Sequence, residues 1–204
     1  MIDFLSKVIT NILTGLYQPF WFAIILSFLF MFVYMQYSSI KSALKQWKEW
    51  FQTSVSFRKT FLLVFFTVMI LFRTLLNRNM WLNPLNNVMG DWWIYKINKS
   101  TGEMVLTTDC LENIALFVPF TFLLLWTYKD KVIGKQVNFF KVLFYSFKIG
   151  FIFSFTIEML QLFLHLGTWQ LSDIFYNTLG SMAGGILYFF GYKLKHKKTH
   201  TNLP

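Results

Sequence analysis

Charged and amide side chains are scarce in the apolar stretches of this sequence, and the few that occur sit near the ends of those stretches. Arg73 lies near the end of one apolar run, Glu112 and Asn113 at the start of the next, Glu158 and Gln161 late in a third, and Asp173 and Asn177 at the start of the last. An ionisable group at membrane depth costs several kcal/mol unless it pairs or reaches water, so these residues mark either a helix-orienting ion pair or a site. Arg73 with Glu112 or Glu158 would serve the first role. Two carboxylates beside amides could instead carry out general acid–base work, or bind a cationic or sugar-like head group.

Spacing adds to this. Glu158, Gln161 and His165 recur at i, i+3 and i+7, and Asp173, Asn177, Gly180 and Gly184 at i, i+4, i+7 and i+11, so each set shares one helical face. Gly180 and Gly184 are a small-xxx-small pair, read here as helix packing. Pro119 removes one helical donor and is expected to bend its helix and free the carbonyl of Ala115. No metal site is expected: His165 is the only histidine near the cluster, His196 and His200 belong to a basic tail, and no His or Cys spacing suits zinc. No cofactor is expected either, since Gly-rich phosphate loops and nucleophile elbows are missing from the sequence. Cys110 is the single cysteine and closes no intrachain disulfide. No catalytic residue is assigned.

The elements that must position these residues follow from composition. Hydrophobic residues make up 55% of the 204 and charged residues only 14%, against roughly a quarter charged in soluble domains. About 20 mainly apolar residues cross a bilayer as a helix. Candidate spans are Tyr17 to Tyr37, Thr60 to Leu76, Leu111 to Tyr128, Tyr145 to Leu166 and Asp173 to Tyr192. The expected fold is all-α: one integral membrane domain over residues 1–204, a polytopic bundle of about five spans with a small extracellular segment and interfacial helices.

The net charge of +10 does not point to nucleic acid, because the cations lie in the linkers where the positive-inside rule places them. Lys41, Lys45, Lys48, Arg58 and Lys59 follow the first span, Lys129, Lys131, Lys135 and Lys141 the third, and Lys193, Lys195, Lys197 and Lys198 the last. These segments are expected in the cytoplasm with the C-terminus. The N-terminus, Asn77 to Cys110 and Gly167 to Ser172 are then outside, and all seven polar residues fall toward the outer leaflet.

Two segments have amphipathic spacing. Ile40, Leu44, Trp47, Phe51 and Val55 define a helix expected on the inner leaflet, and Phe4, Leu5, Val8, Ile9, Ile12, Leu13 and Leu16 a weaker one. The outer segment carries Trp81, Trp92, Trp93 and Tyr95, residues suited to a water–lipid boundary. Lys99 to Gly102 reads as a turn of a small hairpin between Ile97 and Met104.

Three stretches, ENIALFVPF (Glu112 to Phe120), TIEMLQLF (Thr156 to Phe163) and DIFYNTLGSMAGG (Asp173 to Gly185), resemble the VanZ-like family of bacterial membrane proteins. The region of resemblance is about residues 60–192. The chain departs from the family's usual pattern at Thr121, where glycine is common, and at Gln170 and Ser172, where acids are. The resemblance implies a role at the bacterial cell envelope linked with low-level resistance to the glycopeptide teicoplanin, as in Gram-positive bacteria.

Together these readings lead to a non-enzymatic protein whose outward-facing polar site binds an amphiphile, either a lipid-linked cell-wall component or a lipoglycopeptide, amid membrane lipids. The alternative is an intramembrane enzyme acting on a lipid-linked envelope substrate, with Glu112, Glu158 and Asp173 as acid and base. A small transporter is a third reading, with no inverted repeat to support it.

Overall fold

The computed structural model describes residues 2–35, 40–98 and 101–201. The expected end of the first span at Tyr37 and the turn residues Lys99 and Ser100 lie outside the described residues. The chain folds into α1 (Ile2–Tyr17), α2 (Phe20–Met35), α3 (Ile40–Thr53), α4 (Val55–Leu71), a π-helical turn (Phe72–Leu76), β1 (Tyr95–Ile97), β2 (Met104–Leu106), α5 (Asp109–Val132), α6 (Phe139–Leu164) and α7 (Leu171–Thr201). Helices dominate because the long apolar runs can satisfy their backbone groups in oil only internally.

Among the described residues, four stretches are long and apolar enough to cross a membrane: Phe4–Met35, Val55–Leu76, Asp109–Val132 and Phe139–Leu164. In the first of these the chain turns at Gln18 and Pro19, which separates α1 from α2. The fifth expected span, within α7, is less apolar because it carries Asn177, Thr178, Gly180, Ser181, Gly184 and Gly185. Those small residues are where protein lies on both sides. Gly180 meets the backbone of Ile114 and Gly184 that of Val118, whereas Gly150 of α6 meets Ser181 and Gly185 meets Ser146. α7 therefore runs parallel to α5 and antiparallel to α6, and accompanies α5 through whatever α5 crosses.

Packing between α4, α5 and α6 buries Leu63, Ile70, Leu116, Phe117, Phe120, Leu123 and Ile157. Outward faces stay apolar: Phe147, Phe151 and Phe155 of α6 form a half-exposed stacked ladder with 6.0 Å between successive rings. An apolar exterior over a core containing hydroxyls and amides suits a lipid surround.

Backbone detail departs from expectation at three places. The helix stays regular through Pro119, and the non-helical residue of α5 is Tyr128 (φ −122°, ψ 26°), where the apolar run gives way to Lys129. His165 does not continue the Glu158–Gln161 face: it caps α6 in the left-handed conformation (φ 55°) and is exposed, with Nδ1 3.1 Å from the Trp81 carbonyl. The inward face of α3 is Ala43, Trp47, Trp50 and Phe51, packed near Met31, Met35 and Phe57. Leu44 and Val55 are half exposed. Val55 belongs to α4 because Ser54 caps that helix by accepting from Phe57 N, and Arg58 closes α3 by donating to the Phe51 and Gln52 carbonyls.

α1 keeps one apolar strip, Phe4, Val8 and Ile12, half-buried against the protein. Leu5, Ile9 and Leu13 face outward, while Lys7 donates to the Leu106 carbonyl (2.9 Å) and Asn11 to Thr108 Oγ1 (2.7 Å). The expected hairpin forms, with Tyr95 opposite Leu106 and Ile97 opposite Met104.

The connections gather at two ends. At one end the segment after α4 lies along the α6–α7 turn, with Trp81 N donating to His165 O, Gly167 N to Asn79 O, Trp169 N to Pro84 O and Leu171 N to Val88 O. That end also holds α1 and the hairpin, and is called the hairpin end below. The other end is basic: Lys59 lies 4.4 Å over the Trp126 ring and Lys193 4.9 Å over that of Phe189.

Candidate functional site

All seven polar residues named from the sequence lie at or just beneath the hairpin end, in three linked groups. Arg73, in the π-helical turn after α4, forms an ion pair with Glu112 in the first turn of α5. Glu112 is buried and also accepts from Thr108 Oγ1, which in turn accepts from Asn11 of α1. The pair is therefore Arg73–Glu112 and not Arg73–Glu158. Its guanidinium packs against Gly15, where any Cβ would collide with it.

The second group is Asn113 Nδ2 donating to Asp173 Oδ1 at 2.9 Å, which ties the start of α5 to that of α7. The third lies deeper. Glu158 is 2% exposed and accepts from the backbone N–H of Gln170 at 2.7 Å. Gln161 donates to the Thr74 carbonyl of the π-helical turn at 2.6 Å and leaves its own Oε1 buried without a partner. Asn177 donates to Ser154 Oγ at 2.8 Å. Thr121 shares a 2.6 Å hydrogen bond with Ser181, which donates on to the Ser146 carbonyl.

Above these groups opens a polar cavity of about 700 Å³. Arg73, Asn113 and Asp173 border it; Glu112, Glu158, Gln161 and Asn177 do not, being held by protein groups behind or beside its wall. The rest of its wall comes from residues that sequence reasoning did not place in a site: Asn77, Arg78, Asn79, Asp91, Asp109 and Gln170, with Trp81 and Tyr176 as aromatic surfaces. Arg78 is exposed, and its charge acts on both Glu158 and Asp173. Tyr176 is fixed by accepting a 2.9 Å hydrogen bond from Trp93 N, a residue in the left-handed region (φ 67°). The signal for these residues was weak because most lie in connections, and Asp109 at the very start of α5, where polar side chains are ordinary.

Chemically the cavity offers carboxylates, amides that both donate and accept, two guanidinium groups and aromatic faces. Such a set can form many hydrogen bonds of both senses beside a flat apolar surface. Among the described residues no group of three His, Cys, Asp or Glu is placed to hold a metal ion.

An all-α, multi-pass bundle defines the class: a helical integral membrane protein, here with a polar cavity at one end. The chain matches the VanZ/LLP1 family over residues 20–192 and belongs to that family. The match takes in α2 and α3 as well as the later helices that carry the three resembling stretches. Searches among curated proteins and among solved structures give no match.

Proposed function

We propose that this protein works in the bacterial cell membrane with its hairpin end outside, where the polar cavity binds the sugar-bearing head of an amphiphile. By sequestering or shielding such a molecule it contributes to resistance against lipoglycopeptides of the teicoplanin kind. The ligand is either a lipid-linked cell-wall component or the antibiotic itself. The observation that carries this reading is the 700 Å³ cavity, rich in amides and carboxylates, at the end of an apolar bundle. Orientation follows from charge: α3, the α5–α6 linker and the end of α7 carry the cation runs at the opposite end, which the positive-inside rule puts in the cytoplasm.

The test is expression in a glycopeptide-sensitive Gram-positive host, comparing wild type with Asp173→Asn and Arg78→Ala. Wild type is expected to raise the teicoplanin inhibitory concentration severalfold and each variant to return it most of the way to the empty-vector value. Equal susceptibility of all strains, with the proteins present in the membrane, would overturn the reading.

One observation favours catalysis as a second reading, since Asp109 and Asp173 both border the cavity and two carboxylates can divide acid and base roles. Glu112 and Glu158, in contrast, do not border that cavity and accept from protein donors behind its wall. Purified protein incubated with envelope lipids would then generate a new species by mass spectrometry that Asp173→Asn abolishes.

A further inference from the structure

A second, smaller cavity of about 190 Å³ lies between α1, α4 and α5. Its wall is apolar, with Ile12, Phe66, Ala115, Leu116 and Pro119, and it ends on Arg73 and Glu112. Arg73 is also part of the polar cavity's wall, so one side chain separates a hydrogen-bonding chamber from an oily one. A molecule that fills both must be polar at one end and apolar at the other.

From this juxtaposition we infer that the smaller cavity receives the acyl chain of the amphiphile whose head occupies the polar cavity, and that α1 forms the removable wall of the acyl site. The inference rests on the proposed head-group reading and adds the place and kind of its tail. The Arg73–Glu112 pair marks the boundary, which suits an ester, amide or glycosidic junction where polarity changes along the ligand. Gly15 lets α1 seat directly on the guanidinium. Otherwise α1 is held by polar tethers at Lys7 and Asn11 and by a half-buried apolar strip of Phe4, Val8 and Ile12, while Leu5, Ile9 and Leu13 point away from the protein. A wall fastened by two side-chain hydrogen bonds and a half-buried strip can lift without opening the fully packed core between α4, α5 and α6.

The experiment uses the full-length protein in phosphatidylglycerol-containing nanodiscs and octyl glucoside bearing a diazirine at the end of its alkyl chain. Photolabelling is competed with unlabelled octyl glucoside and with octanol, and the label is mapped by mass spectrometry. The expected result is labelling that octyl glucoside, but not octanol, suppresses at least tenfold, with the adducts on Ile12, Phe66 or Leu116. Ala115→Phe, which fills the acyl site, should reduce those adducts about tenfold. Ile12→Trp does the same from the α1 side and serves if Ala115→Phe fails to fold. Competed labelling that maps to the lipid-facing Phe147–Phe151–Phe155 ladder, or that neither variant alters, overturns the acyl site while leaving the head-group reading standing. Labelling that octyl glucoside does not compete overturns both.

Discussion

Gly184 and Gly191 lie seven residues apart on α7 in opposite circumstances. A Cβ at Gly184 would strike the carbonyl oxygen of Val118, whereas nothing lies within 4 Å of one at Gly191. Gly184→Ala is therefore expected to cost about 1–3 kcal/mol through overpacking, while Gly191→Ala should be neutral or stabilising by up to about 1 kcal/mol through helix propensity. Thermal unfolding of the two variants in detergent, with Tm lowered in the first only, checks this. The Arg73–Glu112 pair allows a sharper test. Removing Arg73 alone leaves a buried carboxylate uncompensated, at about 3–5 kcal/mol, whereas replacing both with apolar residues of similar volume is expected to cost much less. A double-mutant cycle on Arg73→Met and Glu112→Leu would measure that coupling. At this scale the sequence disclosed which side chains converge, because a charge inside an apolar run is rare enough to stand out. It did not disclose who pairs with whom. Arg73 had two candidate acids, and the choice of Glu112 depends on the π-helical turn and on Thr108, neither of which leaves a periodic trace. Arg78, Asp109 and Gln170 escaped notice because polar residues in connections and at helix starts are commonplace.

Elements were read with more success than their boundaries. Apolar run length identified α4, α5 and α6, and amphipathic spacing identified α1 and α3, yet Val55 was assigned to α3 where Ser54 begins a new helix. Ser54→Ala should therefore destabilise by about 1 kcal/mol through loss of the cap, seen as a lowered Tm, with less effect from Ser56→Ala because Ser56 is exposed. Pro119 was expected to bend α5, but the irregular residue is Tyr128. A proline's missing donor can be tolerated where neighbouring helices hold the chain straight, and Gly180 and Gly184 bring α7 against this part of α5. The cavity lies in the contact between the segment after α4 and the α6–α7 turn, a pairing across some 80 residues of sequence that no local pattern records.

For the whole molecule, the odd–even alternation inferred from charge and the parallel α5–α7, antiparallel α6–α7 packing describe the same threading. Its absolute direction is testable by cysteine accessibility in intact cells. On a Cys110→Ser background, Glu103→Cys should react with an impermeant maleimide and Lys45→Cys only after the membrane is opened; the reverse pattern would invert the proposed orientation.

α7 carries amides, hydroxyls and glycines through the middle of the bundle, a composition that membrane insertion machinery would score poorly for a segment presented alone. Its entry during biosynthesis must then wait for the two helices made just before it, which supply its carbonyl, hydroxyl and aromatic surroundings. Glycosylation mapping should find α7 by itself mostly translocated or left behind, and lodged efficiently once α5 and α6 precede it. Maturation of the polar chamber would accordingly be among the last events in the protein's assembly, since Asp173 reaches Asn113 only after that final helix has settled.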